Sequence, residues 1–351
     1  MEILDLHKNL VEIKSDENVS EVRDYIIGYL EDNNETSKID EAGNIISSKG
    51  TGEPHIVFNS HMDTVSPHIE YNKEGDTVKG RGASDAKGPL SVLLDVFTRV
   101  EPEGKITLAI TPDEETETKG SQYLSETGFS NSPDLVIVGE PTNLQVCKSA
   151  MGYYPGRIDV IGEAGHSSSE DSDNPIKSIP DVLSYLENME EESDTHQEFG
   201  QCVVEPTIIK GGDVINQTPE KVTVKFTFRE VPMEEKSVEE LLQGLNTNLE
   251  ENVSDYSMGV VESEPRLKAF ELGYTNKLTS DMIKNPKSEG FGYFEAATEA
   301  SHFVDIGWNV CIFGPGKIED EEGPIAHSER EYINTDEIMK ARDILLSAVE
   351  S

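Results

Sequence analysis

The stretch HIVFNSHMD, residues 55–63, reads as a buried strand that runs directly into a histidine and an aspartate. Its first six residues form an apolar run bounded by polar residues, as in a strand covered on both faces. Two more such runs follow, ITLAIT at 106–111 and LVIVG at 135–139. Between the first two lies PLSVLLDVFTR, 89–99, with the spacing of a helix. Strand, helix and strand in this order predict an α/β domain with a mostly parallel sheet flanked by helices. Upstream, apolar residues at helical spacing mark 3–13 and 20–31 (Ile3, Leu4, Leu10, Val11; Val22, Ile26, Ile27, Leu30).

Near residue 152 the pattern changes. YPGRIDVIGEA (154–164) and KVTVKFTFRE (221–230) alternate apolar and polar residues, as antiparallel strands with one solvated face do. Two helical stretches accompany them, 175–190 and 235–250, and together they predict a small α+β unit of ferredoxin-like type. After about 265 the chain returns to loop, helix and short strand (NVCIFG, 309–314) and closes with a helix at 335–349. The expected organisation is a catalytic domain of residues 1–151 and 265–351, interrupted by an inserted domain of residues 152–264. No internal repeat is visible.

The 351 residues carry a formal charge of −40, from 69 acids against 29 bases. Such a balance excludes nucleic acid and anionic membranes as partners, because phosphates would be repelled. The acids are spread along the whole chain, which points to a surface adapted to high intracellular salt and hence to a halophilic source. Apolar runs are strand-length and far short of a membrane span. The N-terminus MEILDLHKNLVEIKSDE has no basic segment followed by an apolar one, so no secretory signal is expected and the cytoplasm is the expected location. Cys147, Cys202 and Cys311 are widely separated and read as buried thiols, neither a disulfide frame nor a cysteine-type zinc site.

Five acid or histidine motifs fall where strands end and loops begin, the position at which open α/β sheets place their chemistry. His61 leaves its strand able to ligate a metal through one ring nitrogen, while the carboxylate of Asp63, two residues on, takes the other N–H. In GRGASDAKGP (80–89) three glycines permit tight turns around Asp85; the spacing is not the GxxxxGKS/T of a phosphate loop. An aspartate so held can offer one oxygen to each of two metals. Glu114 and Glu115, just after ITLAIT, would repel each other without a cation nearby. Their side chains diverge, so one can bind metal while the other serves as general base. Glu140 follows a wholly apolar strand, where an unpaired charge would be costly. His327 sits in GPIAHSE, after the glycine-rich GPG at 314–316. Two histidines and three carboxylates, with a fourth carboxylate as base, are the set that a pair of metals needs. Mixed imidazole and carboxylate ligation suits zinc, with cobalt or manganese as alternatives.

HMDTV (61–65), GRGASDAKG (80–88), DEE (113–115), GEPT (139–142), AGHSS (164–168) and AHSE (326–329) together resemble the dinuclear zinc family of acetylornithine deacetylase. That family also contains succinyl-diaminopimelate desuccinylase, aminoacylase and the glutamate-type carboxypeptidases. The motifs run in family order. The resemblance implies that His61 and Glu140 hold one metal, Glu115 and His327 the other, and that Asp85 bridges them. It also implies that Asp63 orients His61, that Glu114 is the general base, and that the Asp85–Ala86 peptide is cis. His166 resembles the family histidine that stabilises the oxyanion, often across a dimer. Asn216 in GGDVINQTPE and Arg229 in VTVKFTFRE resemble residues that grip the substrate carboxylate. The inserted domain would then be a lid and dimerisation domain, with a homodimer as the assembly. TEAS at 298–301 and the acidic GKIEDEEGP before His327 depart from the family pattern and leave the acyl and side-chain pockets undefined.

The implied activity is removal of an N-acyl group from a small amino-acid derivative in arginine or lysine biosynthesis. The substrate would be acetylornithine, succinyl-diaminopimelate or a carrier-bound lysine or ornithine. A dipeptidase or carboxypeptidase is the alternative enzyme. A non-catalytic binding relative is the alternative class, and the intact ligand set with Glu114 argues against it.

Overall fold

The computed structural model describes residues 1–129, 132–169, 173–232, 237–261, 264–274 and 276–350. It divides into two compact units. The first comprises Met1–Ser149, Glu271–Phe294 and Glu299–Ser351, and the second Ala150–Phe270 with Glu295–Thr298.

The first unit is built on a sheet whose spine runs, in spatial order, 37–39, 45–50, 105–111, 55–61, 135–138, 310–312 and 146–150. The middle four strands, Lys105–Thr111, His55–His61, Leu135–Val138 and Val310–Ile312, are mutually parallel. Their neighbours on either side are antiparallel. All seven residues of His55–His61 and all four of Leu135–Val138 are buried, which is why these segments read as continuous apolar runs. Helix Lys87–Arg99 packs against the sheet, and helices Ile3–Glu12 and Thr335–Val349 pack against that helix in turn. It is therefore covered nearly all round, from Lys87 to Phe97.

The second unit follows the order strand, helix, strand, strand, helix, strand: Tyr154–Ile161, Ile179–Glu191, Val203–Lys210, Lys221–Arg229, Val238–Asn252 and Tyr256–Val260. Its four strands are antiparallel, with Val203–Lys210 and Tyr256–Val260 at the edges and Lys221–Arg229 beside Tyr154–Ile161 in the centre. This is the ferredoxin-like topology. Along Lys221–Arg229 the inward residues Val222, Val224, Phe226 and Phe228 are buried with Val182, Leu186, Leu241 and Leu245 of the helices. Phe226 lies across Gly156, where a Cβ would stand 2.1 Å from the ring, so that position must be glycine. The stretch expected to be helical from 175 opens as a 3₁₀ turn, Pro175–Ser178, and becomes α-helical only at Ile179, with Pro180 in its first turn. Proline lacks the N–H that an interior helical position must donate, so it sits at the start. Residues 235 and 236 of the expected 235–250 helix lie outside the described residues; the helix is capped by reciprocal bonds between Ser237 and Glu240.

One tie joins the first helix to the loop that carries Asp85. His7, buried, has Nε2 3.0 Å from the Ala83 carbonyl, which accepts its proton. Burial pushes the His7 imidazole down to about 4. The unfolded imidazole titrates near 6.5, so unfolding takes up a proton between these values and stability falls as pH drops from about 6.5 to 4. The shift corresponds to on the order of 3 kcal/mol. Urea unfolding at pH 7 and pH 4.5 should show a smaller acid-dependent loss in His7→Gln than in wild type. An equal loss in both would remove His7 from the account.

Candidate metal centre and active site

The four parallel strands deliver their carboxyl ends to one rim of the sheet. His61 is the last residue of its strand, Asp113–Glu115 follow Thr111, Glu140 follows Val138 and Gly139, and the glycines at 314 and 316 follow Ile312. The chain leaves His55–His61 for a neighbour on one side and later crosses to Leu135–Val138 on the other. His61 and Glu140 thus flank the point where strand order reverses, the crevice at which parallel sheets bind ligands.

Asp85 reaches this rim from the loop before helix Lys87–Arg99. The Asp85–Ala86 peptide is cis. Gly82 adopts φ 81°, and a Cβ there would meet the Thr64 methyl at 2.8 Å and the Lys87 stem at 2.9 Å. So placed, Asp85 stands between two imidazoles. Its Oδ1 is 3.5 Å from His61 Nε2 and its Oδ2 is 3.4 Å from His327 Nε2. His61 Nε2 is also 3.9 Å from Glu140 Oε2, and His327 Nε2 is 3.0 Å from Glu115 Oε2. One donor atom each from His61, Asp85 and Glu115 falls within a 4.8 Å span. Two ligands about 2.1 Å from one tetrahedral ion stand about 3.4 Å apart, so these separations fit ions held between the residues. His61 Nε2 is buried without a hydrogen-bond partner, an arrangement that a bound cation would satisfy.

Asp63 supports this arrangement in two ways. Its backbone carbonyl lies 3.1 Å and its Oδ1 3.3 Å from His61 Nδ1, which turns Nε2 toward Asp85 and Glu140. Its two carboxylate oxygens also accept the backbone N–H groups of Glu114 (3.1 Å) and Glu115 (3.0 Å). One aspartate therefore holds both the first histidine and the turn that carries the two glutamates. Within that turn the contacts diverge. Glu115 meets His327, while the Glu114 side chain makes no hydrogen bond or ion pair among the described residues.

Charges here are strongly coupled. Hydrogen bonds to Asp85 and Glu115 push the His327 imidazole up to about 11. Against the effect of burial, the adjacent imidazoles of His327 and His61 hold Asp85 below the usual carboxylate range. Burial and the charge of Glu140 push Glu114 well above it. These carboxylates and imidazoles would hold a cation in place of the imidazole protons, and its charge would relieve the carboxylate repulsion.

Several supporting residues escaped the sequence reading. Arg81 and Glu331, both buried, form an ion pair beneath the Asp85 loop, with Arg81 Nη1 2.6 Å from Glu331 Oε2. Lys87, also buried and pushed down to about 8 by that burial, donates Nζ to the Ile13 carbonyl at 2.7 Å. Glu299, within the divergent TEAS, is wholly buried; its Oε1 accepts from Thr111 Oγ1 at 3.0 Å and its Oε2 has no partner. Burial pushes Glu299 up to about 7. A charged residue set among small apolar ones (AATEAS) was the available signal.

His166, Asn216 and Arg229 belong to the second unit. His166 lies in a two-residue strand paired with Gln217–Thr218; its Nδ1 is 2.7 Å from Ser168 Oγ, and the Asn216 carbonyl accepts the Ser167 N–H at 2.9 Å. His166 and Asn216 are thus neighbours. Arg229 ends strand Lys221–Arg229, exposed, with its guanidinium 4.6 Å from the centre of the Tyr153 ring. That strand starts just after Thr218, so Arg229 lies roughly 25 Å from the His166–Asn216 pair at about 3.3 Å per residue.

Residues 57–351 match the profile of peptidase family M20/M25/M40. A Pyrobaculum aerophilum protein named as a candidate LysW-lysine/LysW-ornithine hydrolase is 31% identical, over 93% of this chain and 90% of its own. The acetylornithine deacetylase of Buchnera aphidicola is 26% identical, over 88% of this chain and 83% of its own. A tripeptidase structure from Staphylococcus aureus superposes with a TM-score of 0.80, covering 99% of this chain and 97% of that one, at 17% identity. That likeness concerns the fold.

The divergence of Glu114 and Glu115 yields a direct test. Glu114→Gln keeps the shape but cannot take a proton, so it should bind metal and substrate normally and lose on the order of 10²–10⁴-fold in kcat. Glu115→Gln should lose metal occupancy by elemental analysis. Metal lost from the Glu114 variant and retained in the Glu115 variant would reverse the assignment.

Proposed function

The chain belongs to peptidase family M20/M25/M40 and is a metal-dependent hydrolase of amide bonds; we propose that it uses two zinc ions to remove the N-acyl group from a small amino-acid derivative. The observation that carries this reading is Asp85 with one oxygen toward His61 and the other toward His327. His61 and Glu140 would hold one ion, Glu115 and His327 the other, and Asp85 both. Two such ions would lower the pKa of the attacking water and polarise the scissile carbonyl. Glu114 takes the proton of that water as its oxygen bonds to the carbonyl carbon. It then passes the proton to the leaving nitrogen as the C–N bond breaks, releasing a carboxylate and an amine. His166 would donate to the carbonyl oxygen as it gains charge. Arg229 and Asn216 would hold the substrate carboxylate, a task to which a guanidinium fork is suited.

We place the substrate among carrier-bound lysine or ornithine and acetylornithine, on the names borne by the relatives. The corresponding pathways are lysine and arginine biosynthesis. The cytoplasm is the proposed location, in keeping with the absence, among the described residues, of any helix long and apolar enough to cross a membrane. The charge of −40 supports a protein adapted to high salt. A hydrolysis panel with added zinc, in dilute and in molar KCl, should show N-acetylornithine or a lysine carrier conjugate cleaved faster than dipeptides, and better in molar salt. Dipeptides cleaved fastest would make the protein a peptidase instead.

The separation of roughly 25 Å expected between Arg229 and the His166–Asn216 pair from the length of the intervening strand also supports a homodimer in which one copy supplies Arg229 and its partner His166. The edge strand Val203–Lys210 exposes Ile208 and Ile209, apolar surface of the kind such an interface covers. Arg229→Ala should mainly raise KM and His166→Ala should mainly lower kcat. Mixing and reassorting the two variants should restore up to about a quarter of the wild-type rate, because half the dimers are mixed and one of their two sites is whole. No recovery on mixing would confine each site to a single chain.

A further inference from the structure

Glu331 lies four residues beyond His327, 1% exposed, and directs all its acceptors at the loop that carries Asp85. Its backbone carbonyl accepts the Gly80 N–H at 3.2 Å. Its Oε1 accepts the N–H groups of Ser84 and Asp85, each at 3.1 Å, and its Oε2 accepts Arg81 Nη1 at 2.6 Å. Arg81, 2% exposed, also donates Nη1 to the carbonyl of Ser328, the residue after His327, at 3.2 Å, and Nε to the Pro67 carbonyl at 3.2 Å. We infer that Arg81 and Glu331 are positioning residues that set the spacing of Asp85 and His327, and so the affinity of the second metal position formed by Glu115, His327 and Asp85.

Stability alone is a weak reason for such a pair. A buried ion pair gives up two hydration shells, and apolar residues of similar volume often serve a core as well or better. What this pair provides is direction. The Asp85 amide nitrogen is bonded to the Cα from which the ligand side chain departs, and Glu331 holds that amide together with the one before it. On the other side, His327 sits at φ 60°, a left-handed conformation disfavoured for a residue with a Cβ, and the Arg81 bond to the adjacent Ser328 carbonyl braces it. Residues nearly 250 positions apart in the chain are thereby held so that Asp85 Oδ2 and His327 Nε2 stand 3.4 Å apart. His61 and Glu140 receive none of these bonds, so the clamp reaches their metal position only through the shared Asp85, whereas it reaches the other through both Asp85 and the segment carrying His327.

The inference rests on the two-ion reading of the site, and one titration separates the two ideas. Chelator-stripped protein is titrated with Zn²⁺ against a competing dye, and with Co²⁺ by absorption, for wild type, Arg81→Met, Glu331→Ala, Arg81→Lys, Glu331→Gln and the distant surface variant Lys287→Ala. Arg81→Met and Glu331→Ala should bind the first equivalent close to wild type and the second about 10–100-fold more weakly, the usual cost of losing a partner behind a ligand. Activity at limiting metal should fall and should recover at saturating metal with KM unchanged. Arg81→Lys and Glu331→Gln, which keep part of the bonding, should fall between, and they decide the matter if the larger changes unfold the chain. Lys287→Ala should match wild type. A second equivalent as tight as wild type in the Arg81 and Glu331 variants overturns the inference, as does equal weakening of both equivalents in step with a lower melting temperature. A wild-type protein that never takes a second equivalent overturns the two-ion reading itself, and this inference with it.

Discussion

Asp85 presents one carboxylate oxygen to each of two histidines, and much of the first unit is organised to keep it there. The parallel strands bring His61, Glu115 and Glu140 to one rim; the loop before helix Lys87–Arg99 brings Asp85 over it; a chain segment from the far end of the sequence brings His327. No element supplies more than part of the set. The arrangement therefore depends on the sheet for its baseline and on buried polar contacts for its final spacing.

Concentrating carboxylates at one place is costly in any protein and more so in one of net charge −40. Over the surface, salt and water screen the repulsion. At the rim they cannot, because His61, Asp85 and Glu140 are buried. The protein meets part of the cost itself: His327 pairs with Asp85 and Glu115, backbone N–H groups pair with Asp63, and Arg81 pairs with Glu331. What remains, an orphan nitrogen on His61 and a Glu114 carboxylate with no hydrogen bond among the described residues, is what a dication and a proton-transferring base would use. His327 is half exposed whereas His61 is buried, so the centre opens to solvent on the side of its later ligand.

Much of this was readable in the order of residues alone. A strand covered on both faces has to be apolar along its length, so HIVFNS, ITLAIT and LVIVG announce themselves, and a polar residue at the end of such a run has few reasons to be there. That local logic located His61, the Glu114–Glu115 pair and Glu140, and the glycines of GRGASDAKG located Asp85. The alternation in KVTVKFTFRE likewise announced a half-buried antiparallel strand, because the side-chain period of two survives whatever the strand pairs with. Composition set further bounds, and the ordered motifs linked His327 to the rest.

Tertiary structure decided the matters that turn on partners distant in the chain. Glu331 is one of 69 acids, and nothing local separates it from its neighbours in AHSEREY; only the folded chain shows its carboxylate holding the Asp85 amide and Arg81. The same holds for the buried Glu299 against Thr111, for Lys87 on the Ile13 carbonyl and for His7 on that of Ala83. It holds as well for the second role of Asp63, whose contacts with Glu114 and Glu115 span about fifty residues of chain. Sequence determines which residue types follow which kind of element, since periodicity and backbone chemistry are local. Which carboxylate among many becomes buried, and against what, depends on where loops meet after the sheet has formed, and that is a property of the whole fold.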